Sequence, residues 1–286
     1  MTSVASHPVL DRTCPMDNGI HMTKMNLNLN LNKRQKIIIT ATLLTIGLLS
    51  TQLVDFNLRF NFIAGLGLLA YILSLWALWE GINRTKAIVM MILPVFFTVA
   101  VASFYFLLPV RWLTRLPVAV LFGALFYLLL LAQNVFNVAS LRTIPLYRAA
   151  STAAFLFTLL SAFFIFNVIY AFKLLFFWNG LVVGLISFPL ILQVLWSIQM
   201  EDKISIQALI YSFILSLVMG ELALSLSFWP MATTIWSLSL SSAMYVLVGL
   251  TTHVLRGRVN RRVVWEYLGI GALVLIVSFL TTSWTG

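Results

Sequence analysis

Long apolar runs separated by short polar breaks fill the chain after Lys36. The runs are continuous, whereas the strands of a membrane β-barrel alternate between apolar and polar residues. Each run approaches the roughly 20 residues that a helix needs to cross the hydrocarbon core of a bilayer. The pattern predicts nine transmembrane helices, over residues 37–54, 62–79, 87–110, 117–141, 149–172, 174–199, 204–229, 231–256 and 263–283.

Two of these boundaries depend on few residues. The first run is short and follows the basic segment "NKRQK", as a secretory signal peptide would. The sequence "STQLVDF" after it has no small-x-small cleavage site, so we expect a retained membrane anchor. The break between the fifth and sixth runs rests on Lys173 alone.

The first 36 residues differ from the rest of the chain. They are polar, include Pro8 and Pro15, and end in the low-complexity run "NLNLNLNKRQK". Such a segment cannot bury enough apolar surface to offset the entropy of ordering it. The sequence therefore predicts a disordered tail over residues 1–36 and a single transmembrane bundle over residues 37–283.

Composition supports a membrane environment. The chain is 61% hydrophobic and 9% charged, whereas soluble domains have about 45–50% apolar and about 25% charged residues. Too few charges are present to cover a water-facing surface, and no connection is long enough for a soluble domain. We interpret the protein as an all-α, polytopic integral membrane protein and expect it in the cell membrane.

The formal net charge of +10 suggests either nucleic-acid binding or membrane topology. Among the 18 Lys and Arg residues, all but Arg59, Arg111, Arg115 and Lys173 fall on one predicted side of the membrane. An excess of this kind marks the cytoplasmic side, which predicts a cytoplasmic N-terminus and an outer C-terminus. No polar segment interleaves basic and aromatic residues, so we expect no nucleic-acid partner.

The excess of basic residues on the predicted cytoplasmic side also predicts contact with lipid headgroups. A cluster of basic residues precedes the ninth run, namely Arg256, Arg258, Arg261 and Arg262. Such clusters attract anionic lipids of the cytoplasmic leaflet. We therefore expect the bilayer and its anionic cytoplasmic lipids as partners.

Catalytic and metal-binding motifs are missing from the sequence. The patterns H-E-x-x-H, G-x-S-x-G and the P-loop do not occur. The single cysteine, Cys14, excludes an intramolecular disulfide and a multi-cysteine metal site. The sequence thus predicts no catalytic residue, no metal site and no cofactor, and it does not favour an enzyme.

The seventh run has two distinct faces on a helical wheel. The small residues Ser205, Ser212, Ser216, Gly220, Ala223 and Ser227 share one face, which permits close helix packing. The broadly opposite face has Gln207, Tyr211, Glu221 and Ser225. Neither face is a typical lipid surface, so we predict a central helix surrounded by protein.

Glu221 is the acidic residue that lies farthest inside an apolar run. A charged group at the bilayer centre costs roughly 2.5–3.5 kcal/mol on insertion scales, and less nearer the interface. One interpretation is a proton or cation site, or a contact for a basic substrate. The other is a structural hydrogen bond to a polar residue at similar depth, for which Asn167, Asn179 and Lys173 are candidates.

Amides and glycines distinguish two further runs. Gln133 and Asn137 lie on one stripe of the fourth run, where they would either hydrogen-bond to a neighbouring helix or line a cytoplasmic vestibule. The sixth run contains Gly180 and Gly184, four residues apart, which predicts a close helix crossing.

Arg111 and Arg115 are four residues apart at the predicted outer end of the third run, so a continued helix would place them on one face. Together with Lys173 they would suit a phosphate or carboxylate. The alternative is that these side chains extend to lipid headgroups.

Three functional classes follow from these features. The first is a small-solute or ion transporter with Glu221 and the amides along its route. The second is a non-catalytic membrane subunit or assembly protein, with a membrane-protein partner or as a homo-oligomer. The third is an enzyme that acts on a lipid-linked phosphate at the outer face. No motif in the sequence assigns the chain to a family.

Overall fold

The computed structural model describes residues 32–51, 58–79, 84–108, 112–139, 146–199, 204–257 and 260–282. Within these ranges the chain forms nine helices and no strand, which confirms the predicted all-α polytopic bundle. Residues 1–31 of the predicted tail lie outside the described residues. The helices are α1 (Lys33–Ser50), α2 (Arg59–Leu78), α3 (Arg84–Leu107), α4 (Trp112–Ala139), α5 (Leu146–Ala171), α6 (Phe176–Gln199), α7 (Ile206–Leu226), α8 (Thr233–Leu255) and α9 (Arg261–Thr281).

Eight of the nine described helices, α2 to α9, are long and apolar enough to cross a membrane. The exception, α1, begins at Lys33, four residues before the predicted span, and includes three basic residues. Its apolar part, Ile37 to Ser50, extends over roughly 21 Å at 1.5 Å per residue, less than the hydrocarbon core. The nine-span prediction is therefore confirmed for eight helices, and α1 falls short of the required length.

Helix α5 lies in the middle of the described bundle. It packs against α3, α4, α6 and α8. On one side, the buried rings of Phe97, Phe122 and Phe126 stack on one another and Phe157 of α5 contacts Phe97 edge-on. On the other side, Tyr170 of α5 stacks on Trp236 of α8 with centroids 4.6 Å apart. Aromatic side chains thus hold the helices together on both sides of α5.

The turn between α5 and α6 confirms the break that the sequence placed at Lys173. Lys173 has a φ of 50°, in the left-handed region that a non-glycine residue rarely adopts. This conformation reverses the chain within the four residues between Ala171 and Phe176. The end of α5 and the start of α6 consequently lie side by side.

The prediction of a central seventh helix is wrong. Helix α7 packs extensively on α6 and to a smaller extent on α8, and 28% of its apolar window is buried, against 56% for α6. The small-residue face does contact protein, but the broadly opposite face, including Gln207, Glu221 and Ser225, is exposed. Polar residues on that face suggested a protein neighbour, and none of the described helices supplies one.

Helix α9 contacts the bundle chiefly through α8. The hydroxyl oxygens of Ser239 and Ser278 lie 2.7 Å apart, and a methyl group on Gly249 would meet the ring of Tyr267. A small residue in α8 therefore makes room for an aromatic ring of α9.

The Ser239–Ser278 contact predicts a disulfide between α8 and α9. Cys14 is the only native thiol, so Cys14→Ser combined with Ser239→Cys and Ser278→Cys gives a protein with one cysteine pair. Because the two hydroxyls are already in contact, mild oxidation is expected to join the pair in most molecules. The fraction of molecules with the disulfide is measured by non-reducing electrophoresis after the α8–α9 connection is cleaved, since only a disulfide then keeps the two fragments together.

The matched control moves the α9 cysteine to Thr281, one turn further along an exposed part of the helix. Ser239→Cys with Thr281→Cys should stay mostly reduced under the same conditions. Equal oxidation of both pairs would contradict the helix register described here.

Candidate functional site

The closest helix contact near the candidate site joins α6 to α7 through glycines. A Cβ atom on Gly220 would lie 2.9 Å from the backbone oxygen of Gly180, and one on Gly184 would lie 3.2 Å from the backbone oxygen of Ser216. Both obstacles are backbone atoms, which cannot rotate away. The predicted close crossing at Gly180 and Gly184 is confirmed, and its partner is the small-residue face of α7.

This crossing leaves a groove of about 690 Å³ on the outward side of α6 and α7. Glycines form part of its lining, and large apolar side chains such as Phe177, Leu185 and Phe213 surround them. We call the exposed α7 side chains along this groove the Glu221 face, which consists of Phe213, Leu217 and Glu221. The carboxyl group of Glu221 thus lies on the outside of the bundle.

None of the three predicted structural partners holds the Glu221 carboxylate. The amide of Asn167 donates to the hydroxyl of Ser237 at 3.2 Å, and that of Asn179 donates to the hydroxyl of Ser227 at 3.2 Å. Lys173 lies in the α5–α6 turn. Among the described residues, no side chain donates to this carboxylate, and Ser225 donates instead to the backbone oxygen of Glu221.

The other candidates on α7 do not assemble a site around Glu221. Gln207 is exposed near the start of the helix, and Tyr211 is half-buried one turn later. Ser225 is exposed next to Glu221 but turns its hydroxyl to the backbone. The structure therefore gives a single outward carboxylate instead of a cluster.

The fourth-run amides lie on a different part of the bundle. Gln133 and Asn137 are buried in α4, which packs on α1, α3 and α5, whereas α7 packs on α6 and α8. The amide of Asn137 donates to the backbone oxygen of Leu78 at 3.3 Å, which fastens α4 to the end of α2. Neither amide atom of Gln133 has a partner among the described residues.

The three basic residues proposed for the outer face are not shown together. Arg111 lies outside the described residues. Arg115 is buried, with its guanidinium over the ring of Tyr105 at 5.6 Å. Lys173 is exposed and lines a separate cavity between the ends of α5, α6, α7 and α8.

The cavity beside Lys173 is more polar than the groove at Glu221. It has about 520 Å³ and is lined by Asn179, Ser227 and Thr233 besides Lys173 and Tyr170. Sequence reasoning named Asn179 only as a partner for Glu221. The grouping was not visible in the sequence, because its members come from two connections, α5–α6 and α7–α8, that are far apart along the chain.

A family model matches residues 62–281 of the chain, which is most of its length. The chain belongs to the DUF5656 family, which is described as a protein of unknown function. The DUF5656 region begins within α2 and ends at the last residue of α9, so it includes the groove, Glu221 and the cavity beside Lys173. No curated protein and no solved structure matches the chain.

The DUF5656 region is thus a multi-pass helical membrane protein. The eight helices that are long enough to cross a membrane coincide with the match, whereas α1 precedes it. Within the described residues, no three potential metal ligands among His, Cys, Asp and Glu cluster together. The features that remain for function are an outward carboxylate and a polar cavity.

Proposed function

We propose that the protein is a membrane-embedded subunit that binds a transmembrane helix of a different protein through the Glu221 face. The observation that carries the proposal is the outward position of Glu221 on a helix long and apolar enough to span the membrane. The groove beside it, with glycines between apolar walls, suits the close approach of another helix.

Energetics support a protein neighbour over lipid. Glu221 lies five residues before the end of α7, roughly 7.5 Å along the helix axis. A carboxylate at such depth is costly to leave against acyl chains, and intramembrane acids normally face protein or pair with another group. Since the chain itself provides no described donor, the pairing group belongs to a partner.

The chemistry of the partner follows from the carboxylate. A Lys, Arg or His side chain, or a strong hydrogen-bond donor, would stabilise the ionised form. The described basic residues of this chain lie in the first or last turns of helices or in the connections between them. Helix α7 itself has no basic residue. A second copy that met it through the same face would bring another carboxylate and no cation to Glu221, which favours a different protein.

Transport stays a prediction. It required Glu221 and the fourth-run amides to line one route, whereas the carboxylate lies on the outside and the amides are buried in α4. An enzyme acting on a lipid-linked phosphate likewise stays a prediction, since Arg111 is outside the described residues. Neither alternative has an observation of comparable weight in its favour.

Site-specific photocrosslinking in native membranes tests the proposal. A photoreactive residue at position 217, one turn before Glu221 on the same face, is expected to give a discrete protein adduct. The adduct should be lost in the Glu221→Leu background. The partner's basic group then has no carboxylate to pair with in the membrane, so the two helices no longer associate. Mass spectrometry of the adduct should identify a transmembrane helix with a basic residue.

The control position is Ile72, which is also exposed but lies on α2. It should give lipid adducts only, in both backgrounds. The same lipid adducts at position 217, or a protein adduct that persists without Glu221, would contradict the proposal. An adduct between two copies of this chain would contradict the different-protein partner.

A further inference from the structure

A second groove, of about 620 Å³, lies between α1 and α4. Its lining comes from residues between Ile38 and Ile46 of α1 and between Val120 and Tyr127 of α4, so it shares no residue with the groove at Glu221. We call it the α1–α4 groove. Ile38, Ile46 and Val120 line it and are exposed, so the groove opens to the outside of the bundle.

The lining of the α1–α4 groove is almost entirely apolar, although it includes two threonines. The Thr42 hydroxyl donates to the backbone oxygens of Ile38 and Ile39, each at 3.0 Å. The Thr45 hydroxyl donates to the backbone oxygen of Ala41 at 2.8 Å. Both hydroxyls are used within α1, and the surface that remains suits a hydrocarbon chain.

The α1–α4 groove fits within one leaflet of a bilayer. Its α1 side, from Ile38 to Ile46, extends over roughly 12 Å, and half of the hydrocarbon core is roughly 15 Å thick. The apolar part of α1 begins at Ile37, directly after the basic residues, so the groove starts next to the predicted cytoplasmic surface. Its length and depth match part of one acyl chain of the inner leaflet.

Arg34 places a positive charge at the predicted cytoplasmic end of the groove. It precedes Ile38 by four residues, so both lie on one face of α1, and its side chain is exposed. Neither α1 nor α4 contains an acidic residue. The charge of Arg34 is therefore not compensated by either helix that forms the groove.

The start of α1 and the end of α4 lie at the same end of the bundle. The Thr40 hydroxyl of α1 lies 3.5 Å from the backbone oxygen of Leu73. The amide of Asn137 in α4 donates to the backbone oxygen of Leu78 at 3.3 Å. Since both acceptors belong to the last two turns of α2, α1 and α4 run antiparallel.

This antiparallel packing brings Asn134 to the depth of Arg34. A Cβ atom on Gly123 would lie 2.6 Å from the hydroxyl oxygen of Thr45, which marks a contact between the helices. Arg34 lies eleven residues before Thr45, and Asn134 lies eleven residues after Gly123. Eleven residues make about three helical turns, so both polar side chains return to the contact face at a similar depth.

We propose that the α1–α4 groove binds an anionic phospholipid of the inner leaflet. One acyl chain lies in the groove, and the headgroup phosphate accepts hydrogen bonds from the Arg34 guanidinium and the Asn134 amide. The uncompensated charge of Arg34 favours a headgroup with a net negative charge over a zwitterionic one. Because α1 packs chiefly on α2 and α4, the lipid gives this short helix a third neighbour.

Photoreactive lipids locate the site and measure its preference. Phosphatidylglycerol and phosphatidylcholine with the same diazirine-labelled acyl chain are reconstituted separately with the full-length protein in unlabelled phosphatidylcholine, and mass spectrometry maps the adducts. Adducts at the exposed Leu68 and Ile72 of α2 serve as the reference. Relative to them, groove adducts should be about fivefold more frequent with phosphatidylglycerol, the effect of one basic residue near an anionic lipid.

Two pairs of variants separate the headgroup contact from the fit of the chain. Arg34→Gln should lower the preference to about one, whereas Arg148→Gln removes an exposed cation at the start of α5 and should leave the preference unchanged. Ala124→Phe places a ring in the groove and should remove most groove adducts of both lipids. Ala272→Phe makes the same change at an exposed position of α9 and should preserve them.

Equal groove adducts with both lipids in the wild type would overturn the proposal. A preference that persists in Arg34→Gln, or that Arg148→Gln lowers equally, would show that the charge at the groove does not select the lipid, with the same consequence. Reference adducts without any groove adducts would mean that protein covers the groove, which also contradicts a lipid site. The Glu221 face takes no part in this test, so its outcome is independent of the proposed partner.

Discussion

Gly220→Leu is expected to separate α6 from α7 and to destabilise the protein by roughly 3 kcal/mol or more, since overpacking of a tight contact typically costs about 1–3 kcal/mol. The new side chain would point at the backbone oxygen of Gly180, 2.9 Å from the Cβ position. Unlike a side chain, this oxygen cannot adopt another rotamer. The α6–α7 contact is the most extensive one in the described bundle, so the loss should spread to both helices.

A milder pair of variants gives a matched comparison. Gly220→Ala meets the same oxygen, whereas Gly269→Ala lies in α9 with no atom within 4 Å of the new methyl group. Alanine favours a helix over glycine by about 1 kcal/mol, so Gly269→Ala should be neutral or stabilising and Gly220→Ala destabilising. Unfolding temperatures in one detergent measure both. A shift in the same direction for both variants would contradict the backbone contact.

Glu221→Leu is expected to stabilise the purified chain in a bilayer and to abolish its association with the partner. No described residue pairs with the carboxylate, so its removal takes away a polar group exposed to lipid, worth up to roughly 2.5 kcal/mol at this depth. The same change leaves the partner's basic group uncompensated in the membrane. Opposite effects on stability and on binding are typical of an interface residue.

The control for this variant is Glu266→Leu. Glu266 is exposed at the start of α9 and pairs with Arg262 at 3.5 Å, a surface ion pair of small energetic weight. Its replacement should change stability by less than about 0.5 kcal/mol. The free energies of unfolding of Glu221→Leu and Glu266→Leu are compared in nanodiscs. A loss of stability in Glu221→Leu would indicate a partner within the chain and would contradict an intermolecular one.

Much of the fold was predictable because lipid imposes a length and a composition on each element. Continuous apolar runs predicted eight of the described spans, and one lysine sufficed to place the turn at Lys173. The first run, predicted over residues 37–54, is the exception, because helix α1 begins in the three basic residues before it and ends at Ser50. Helix α1 is present, but its apolar part is shorter than the hydrocarbon core.

The position of α7 was not predictable from its own residues. Its small face correctly indicated close packing, and Gly180 and Gly184 of α6 supply that contact. Its polar face indicated a second protein neighbour, and the sequence does not show whether that neighbour belongs to the same chain. Glu221 points out of the bundle, and on that ground we propose that this neighbour is a second protein.

The cavity beside Lys173 shows the other limit of sequence reasoning. Asn179, Ser227 and Thr233 are separated by connections and helices along the chain. Each is an ordinary helix-end residue on its own. Only the packing of α5, α6, α7 and α8 brings them to one cavity and leaves an amide oxygen unpaired.

Native mass spectrometry of particles extracted from membranes without detergent tests the role of Glu221 most directly. Wild-type particles should contain this chain together with a second polypeptide that has a basic residue in a transmembrane helix. Glu221→Leu particles should contain the folded chain alone. The same second polypeptide in both particles, or the chain alone in both, would contradict a membrane subunit that binds its partner through Glu221.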